Sequence, residues 1–315
     1  MTTAAPPAVP RSSVPHLRTL RDLSVPQLRE LLTLGERLAR RLPPEPDPRP
    51  LTGRSVALIF EKNSTRTRVS FEVGVHQLGG LPIFLSQSET QMGRGEPLRD
   101  TARVLSGYVD GMMIRTYEQE TVEELARFSR VPVINGLTDL YHPCQLLADL
   151  LTLQQEFGAQ RLGDLRVAWF GDGNNMANSW LNAAAMLGFE LRLAVPEGFD
   201  PDPETLERAR GETSVILTRD PREAARGAHV FNTDVWASMG QEEEAEGRLA
   251  HFRPFQVDEE LLALGHEDAI FLHCLPAHRG EEVTEGVLEG DRSRVFQEAE
   301  NRLHAQKALM VHLLG

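Results

Sequence analysis

Cysteine is scarce, cations are outnumbered, and long apolar runs are missing. Two cysteines, Cys144 and Cys274, in 315 residues cannot build a disulfide framework, and they fit a reducing, cytoplasmic compartment. Lys plus Arg number 33 against 46 Asp plus Glu, a formal net charge of -13. Such a surface repels phosphate backbones and argues against a nucleic-acid partner. No apolar stretch is long enough to span a bilayer, which argues against a membrane partner. The opening MTTAAPPAVPRSSVP lacks the continuous apolar core of a secretory signal. Its Ala and Pro content reads as a disordered arm over residues 1–20, with a transit peptide as the alternative because acids are missing there too. What is present, 41% hydrophobic and 25% charged residues, is the composition of a chain that buries a sizeable core. Its length exceeds the size at which one core stops growing, so two domains are expected.

Helical and strand periods alternate along the chain. Ser24-Val25-Pro26-Gln27 reads as a capping box, followed by a helical stripe at Leu28, Leu31, Leu32, Leu34 and Leu38. A Pro-rich connector spans 43–53. SVALIF, residues 55–60, is a buried-strand run. A helix carrying Phe71, Val75 and Leu78 follows, then a second strand at 81–85. Strand, helix, strand implies a parallel sheet. The same reading continues with a helix at 98–108, a strand at 111–114, a helix at 121–128 and a strand at 131–135. A long helical stretch then runs from Pro143 (CQLLADLLTLQQEF). A second α/β unit starts at Leu165, with further strands at 214–217, 229–233 and 270–275 and a closing helix at 298–314. The expectation is two open parallel-sheet α/β domains, joined by an interdomain helix and a C-terminal closing helix. The boundaries drawn are 21–145, 146–297 and 298–315.

The stretch FEKNSTRTRVSFE, residues 60–72, gathers Lys62, Arg66 and Arg68 around Ser64, Thr65 and Thr67 in an acidic chain. In an open parallel sheet, ligands sit beyond the carboxyl ends of strands. A helix N-terminus there offers unpaired N–H groups and a partial positive charge to an anion. Arg66 adds a two-pronged grip on phosphate oxygens. The blander alternative is a capped helix with solvated charges. Further strand ends tip the balance. Arg115 follows GMMI, and His142 and Gln145 share a helix entrance opened by Pro143.

With those residues in place the chain resembles the ornithine carbamoyltransferases. The shared motifs are Ser64-Thr65-Arg66-Thr67, His142-Pro143-Cys144-Gln145, Asp234-Val235-Trp236-Ala237-Ser238-Met239-Gly240, His273-Cys274-Leu275-Pro276 and Glu300-Asn301-Arg302-Leu303-His304. The first two are common to carbamoyltransferases, and the Ser-Met-Gly loop and His-Cys-Leu-Pro segment are specific for ornithine. The resemblance implies a one-carbon transferase that joins carbamoyl phosphate to L-ornithine, giving L-citrulline and phosphate in arginine biosynthesis, with no cofactor and no metal. It implies a carbamoyl-phosphate site of Ser64, Thr65, Arg66, Thr67, Arg115, His142, Gln145, Cys274, Leu275 and Arg302. Gln91 would be donated to that site by the neighbouring subunit of a homotrimer. Asn175, Asp234, Ser238 and Met239 would hold ornithine. Arg115, His142, Cys274 and Arg302 would be catalytic.

The chemistry asks for donors on the carbonyl oxygen, for which Thr67, Arg115 and His142 are suited. His142 at a helix N-terminus should stay neutral. Arg66, Arg115 and Arg302 would disfavour the δ-ammonium form of ornithine, and Asp234 would pair with its α-ammonium. Rival readings are weaker. Gly171-x-Gly173 lacks the third glycine of a dinucleotide fingerprint, against an NAD-dependent oxidoreductase. His142, Cys144, His273 and Cys274 match no zinc spacing, and His273 and Cys274, adjacent on one strand, should face opposite ways. A Cys274 nucleophile has no base placed beside it. A non-catalytic amino-acid-binding protein would need no carbamoyl site. Putrescine, an acylated ornithine or aspartate remain as alternative acceptors.

Overall fold

The computed structural model describes residues 15–40, 49–86, 95–236 and 245–315. The first domain contains α1 (Val25–Ala39), β1 (Ser55–Phe60), α2 (Thr65–Gln77), β2 (Leu81–Ser86), α3 (Leu98–Leu105), β3 (Gly111–Arg115), α4 (Gln119–Phe128) and β4 (Val133–Leu137). Helix α5 (Pro143–Phe157) leads to β5 (Arg166–Phe170), α6 (Asn175–Leu187), β6 (Glu190–Ala194), α7 (Pro203–Arg210), β7 (Val215–Thr218), α8 (Pro221–Ala225) and β8 (Val230–Thr233). The chain continues through α9 (Ala245–Phe252), α10 (Glu259–Leu262), β9 (Ile270–His273), α11 (Glu285–Leu288) and α12 (Val295–Leu314). None of the described helices is long and apolar enough to cross a membrane.

The strands form two sheets, ordered β2-β1-β3-β4 and β7-β6-β5-β8-β9, and every pairing in both is parallel. This is the two-sheet α/β architecture expected from the alternating periods. Strand order carries a consequence that the chain order alone does not. Successive strands leave β1 in opposite lateral directions in the first sheet, and leave β5 in the same way in the second. A crevice therefore opens at the carboxyl ends between β1 and β3, and another between β5 and β8.

Local sequence explains most boundaries. Ser24 and Gln27 close α1 reciprocally, the Ser24 N–H donating to Gln27 Oε1 at 2.9 Å and the Gln27 N–H to Ser24 Oγ at 3.4 Å. Its stripe buries Leu28, Leu31 and Leu32. Strand β4 lies two residues later than the expected 131–135, because Pro132 has no N–H for a ladder. Strand β9 stops at His273 rather than 275, since Leu275 takes a φ of 56° that leaves the extended region. The closing helix begins at Val295, earlier than 298. The arm expected over 1–20 packs at its far end: Leu17 is buried and its N–H donates to Val133 O at 2.9 Å, while residues 1–14 lie outside the described residues.

Helix α5 is buried along almost its whole length. It packs against β4 of the first sheet and α6 of the second. Helix α12 lies along α5 and also touches α1, α2 and β9. The two helices form a shared spine, and the apolar core runs through them without a break between the sheets.

Candidate active site

The two crevices face one cleft of about 540 Å³. From the first sheet it receives Ser64, Thr65, Arg66 and Thr67 after β1, Arg115 at the end of β3, and His142 at the entrance of α5. From the second it receives Asn175 at the start of α6, Asp234 after β8, and Cys274 and Leu275 after β9. Arg302 of α12 reaches in from below. Gln145 does not line the cleft; it is fully buried behind Arg302. Gln91, Ser238 and Met239 lie outside the described residues.

Ser64 is the N-cap of α2, and its Oγ accepts from the Thr67 N–H at 3.3 Å. That bond turns the helix entrance toward the cleft and leaves earlier amides free for an anion. Thr67, 1% exposed, is the meeting point. Its Oγ1 accepts from Arg302 Nη2 at 2.9 Å, from Ser64 Oγ at 3.1 Å and from Arg115 Nη1 at 3.5 Å. The two shorter bonds take the two lone pairs of the oxygen, with Arg115 at the edge of bonding, so the hydroxyl proton is not spent on these partners.

Burial and crowding of like charges strain these cations. Arg115 is pulled down to about 10, by burial first and then by Arg302. Arg302 is lowered as well, by burial first, with Arg66 adding repulsion. A dianion placed among Arg66, Arg115 and Arg302 relieves that repulsion, so the pocket is complementary to phosphate. His142 is held well below its ordinary value, by burial first and then by Arg302 and Arg115. Its ring is neutral, as expected, but the main cause is burial rather than the helix entrance.

The opposite wall is built around Asp234. Its carboxylate accepts from Asn174 Nδ2 at 3.0 Å, from the Val235 N–H at 2.8 Å and from the Cys274 thiol at 3.1 Å. Asn174 caps α6 by accepting from the Met176 and Ala177 N–H groups, so the helix entrance fixes the carboxylate that faces the cleft. Asn175 Nδ2 donates to Thr138 O at 2.6 Å, which ties the second wall to the first. The Cys274 thiol is pushed well above its ordinary value by burial and then by Asp234. It is a hydrogen-bond donor here and not a thiolate nucleophile.

His273 and Cys274 face apart, as expected: His273 shares the side of Phe271, its ring 6.5 Å from that ring, and Cys274 packs with Leu272 against the other core. One atom each of Asp234, His273 and Cys274 nonetheless lie within 4.8 Å of one another. All three are already engaged. His273 Nδ1 accepts from the Leu275 N–H at 2.9 Å, so Nε2 carries the proton and donates to Glu282 Oε1 at 3.1 Å. Neither a free imidazole nitrogen nor a thiolate is offered to a metal.

The glycines after β5 serve the backbone. A Cβ on Gly173 would stand 2.3 Å from Pro201 N, so the chain that follows β6 packs directly on this glycine. Lys62 is buried, forms an ion pair with Asp139 and sits 4.1 Å over the Tyr117 ring. Arg68 points outward, pairing with Glu72 at 3.0 Å and lying 3.6 Å over Phe84. Asp139, Asp172 and Asn174 line the cleft but were not singled out. Each follows a parallel strand, so the strand-end rule alone would have found them.

Family models agree with this geometry. The carbamoyl-P binding domain of aspartate/ornithine carbamoyltransferases matches residues 15–155, and the Asp/Orn binding domain matches residues 163–313. The ornithine carbamoyltransferase of Geobacter metallireducens is 61% identical over 266 residues, covering 84% of this chain and 87% of the relative. The solved ornithine carbamoyltransferase of Pyrococcus furiosus superposes with a TM-score of 0.90 at 44% identity, covering 96% of this chain and 98% of that one. The anabolic ornithine carbamoyltransferase of Campylobacter jejuni gives 0.88 at 43%, covering 95% and 98%. Two matched domains, two switch-point crevices and one cleft between them make this chain a member of the aspartate/ornithine carbamoyltransferase family.

Proposed function

We propose that the chain transfers the carbamoyl group of carbamoyl phosphate to the δ-amine of L-ornithine, releasing L-citrulline and phosphate. The observation that carries this reading is the polarity of the cleft, with three arginines on one wall and a hydrogen-bonded Asp234 on the other. Ser64, Thr65 and Arg66 bind the phosphate together with the free amides of α2. Arg115, Thr67 and His142 donate to the carbonyl oxygen as it gains negative charge. Arg302, held from behind by Gln145, orients the carbamoyl group, and the Leu275 backbone supports it. Asp234 pairs with the α-ammonium of ornithine, with Asn175, Ser238 and Met239 around its amino-acid end.

The δ-nitrogen lone pair forms a bond to the carbamoyl carbon. The tetrahedral intermediate then collapses, the carbon–oxygen bond to phosphate breaks, and phosphate leaves with the bonding electrons. The proton lost by nitrogen passes to the departing phosphate, which is the strongest base beside it. The cationic wall disfavours δ-ammonium and so favours the reactive free amine, whose ordinary pKa is near ~10.4. Holding both reactants across one cleft converts an encounter into a local step. The cysteine residue Cys274 contributes its thiol hydrogen bond to Asp234 rather than covalent chemistry.

Residues 21–145 act as the carbamoyl-phosphate domain, 146–297 as the ornithine domain and 298–315 as the returning helix. The working assembly is a homotrimer in the cytoplasm, with Gln91 lent to a neighbouring site, and its role is arginine biosynthesis. The test is stoichiometry: carbamoyl phosphate and L-ornithine should give one citrulline per phosphate. Phosphate release without citrulline would make the protein a hydrolase and refute the reading.

A further inference from the structure

Behind the cleft, helices α5 and α12 bury two acids that the reaction does not use. Asp149 and Glu298 are both fully buried. Asp149 stands one turn beyond Gln145 on α5, and Glu298 one turn before Arg302 on α12. The Gln145 side-chain amide joins them. Its Nε2 donates to Asp149 Oδ1 at 2.8 Å and to Glu298 Oε1 at 2.8 Å. Its Oε1 accepts from Arg302 Nη1. The second Glu298 oxygen accepts from the His273 N–H at 2.8 Å.

One donor nitrogen, 2.8 Å from each, holds Asp149 Oδ1 and Glu298 Oε1 side by side in a fully buried site. Burial and mutual repulsion raise both, Glu298 most strongly. Two ionised carboxylates this close, with Arg302 as the nearby cation, cannot both persist. Three of the four carboxyl oxygens accept from an N–H group. Asp149 Oδ2 has no such partner.

We propose that Asp149 carries a proton on Oδ2, donates it to Glu298, and with it forms a positioning pair that fixes the orientation of the Gln145 amide. Both N–H bonds of Gln145 are consumed by the pair, so its oxygen is turned toward Arg302 and the carbamoyl site. A flip would set the amide nitrogen against a guanidinium and an oxygen against two acids. Glu298 also tethers the end of β9, and so links the carbamoyl wall to the turn that carries Cys274 and Leu275. This inference rests on the carbamoyl-transfer reading for its kinetic consequence, but not for the proton itself.

Two substitutions separate the possibilities. In Asp149→Asn the new amide oxygen accepts from Gln145 and the nitrogen donates to Glu298, as the protonated acid does. In Glu298→Gln the new nitrogen must face either Gln145 Nε2 or the His273 N–H, donor against donor. Citrulline formation should therefore keep kcat within about threefold of wild type in Asp149→Asn, and lose about ten- to a hundredfold in Glu298→Gln, with the KM for ornithine little changed in both. The reverse order, or equal effects, overturns the assignment. Infrared spectroscopy of the wild-type protein at neutral pH gives a reading independent of folding in the variants and of activity. A protonated-carboxyl carbonyl band should be present in wild type and absent from Asp149→Asn. Its absence from wild type overturns the proposal even if carbamoyl transfer is confirmed.

Discussion

Replacing Thr67 with valine removes one oxygen from the centre of the cleft and almost nothing else. Valine keeps the branched shape, and the Ser64 cap on the backbone N–H of residue 67 is retained. The lost atom accepts from Arg302 at 2.9 Å and Ser64 at 3.1 Å, with Arg115 at the edge of bonding at 3.5 Å. A hydrogen bond to a charged donor contributes about 1.5–3 kcal/mol, and the added methyl returns about 0.8 kcal/mol of transfer energy. The folded state should therefore lose about 1–2 kcal/mol, a fall of a few degrees in Tm. Catalysis should suffer more. Under the proposed function the Thr67 O–H is one of three donors to the developing oxyanion, and losing such a donor lowers turnover by ~10²–10³. Under the same proposal phosphate affinity rests on Arg66 and the α2 amides, so it should fall by less than about tenfold. Steady-state citrulline formation gives the first quantity and calorimetry with inorganic phosphate the second. A kcat within threefold of wild type, or a loss expressed wholly as a raised KM for carbamoyl phosphate, would refute the role given to this hydroxyl.

Arg66→Ala should raise the KM for carbamoyl phosphate by about a hundredfold, since a bidentate charged contact disappears; normal saturation by that substrate contradicts the assignment. Asp234→Asn should raise the ornithine requirement by about ten- to a hundredfold and leave phosphate binding by calorimetry nearly intact. His142 is lowered in the folded state by burial, Arg302 and Arg115, so the unfolded chain binds the extra proton first as pH falls below about 6.5. Its contribution to stability is complete above that pH and is lost below it. His142→Gln should therefore flatten the decline of the urea midpoint between neutral pH and pH 5, and an unchanged slope counts against a buried neutral imidazole.

The parts of the site that were legible in the sequence are those set by local rules. A strand followed by a capped helix places Ser64 to Thr67 without knowledge of the rest of the fold. Arg115 and His142 follow from the same rule of strand ends and helix entrances. Strand order was not legible, because it depends on which strands pair across the sheet, and it is this order that opens crevices beside β1 and β5. The network of Gln145, Asp149, Glu298 and Arg302 was hidden for a related reason. Gln145 is more than 150 positions from its partners on α12, and they meet only when α12 lies along α5. Cys274 stays on the Leu272 side one residue past the end of β9, so the alternation read from the sequence carries through to it. The partner of Lys62 could not be read from the sequence, because its ion pair with Asp139 and its place over Tyr117 depend on the end of β3 and the loop after β4.

The central claim is that one wall of the cleft selects a phosphate-activated carbamoyl group and the other selects the amino-acid end of ornithine. A citrulline-type colorimetric assay across L-ornithine, putrescine, N-acetylornithine and L-aspartate, at saturating carbamoyl phosphate, tests it most directly. The account predicts that kcat/KM for L-ornithine exceeds each of the others by at least about a hundredfold, because N-acetylornithine masks the ammonium that Asp234 holds, putrescine lacks the α-carboxylate of the amino-acid end, and aspartate has no δ-amine and sets a second carboxylate against Asp234. Equal or faster carbamoylation of putrescine or aspartate would contradict it.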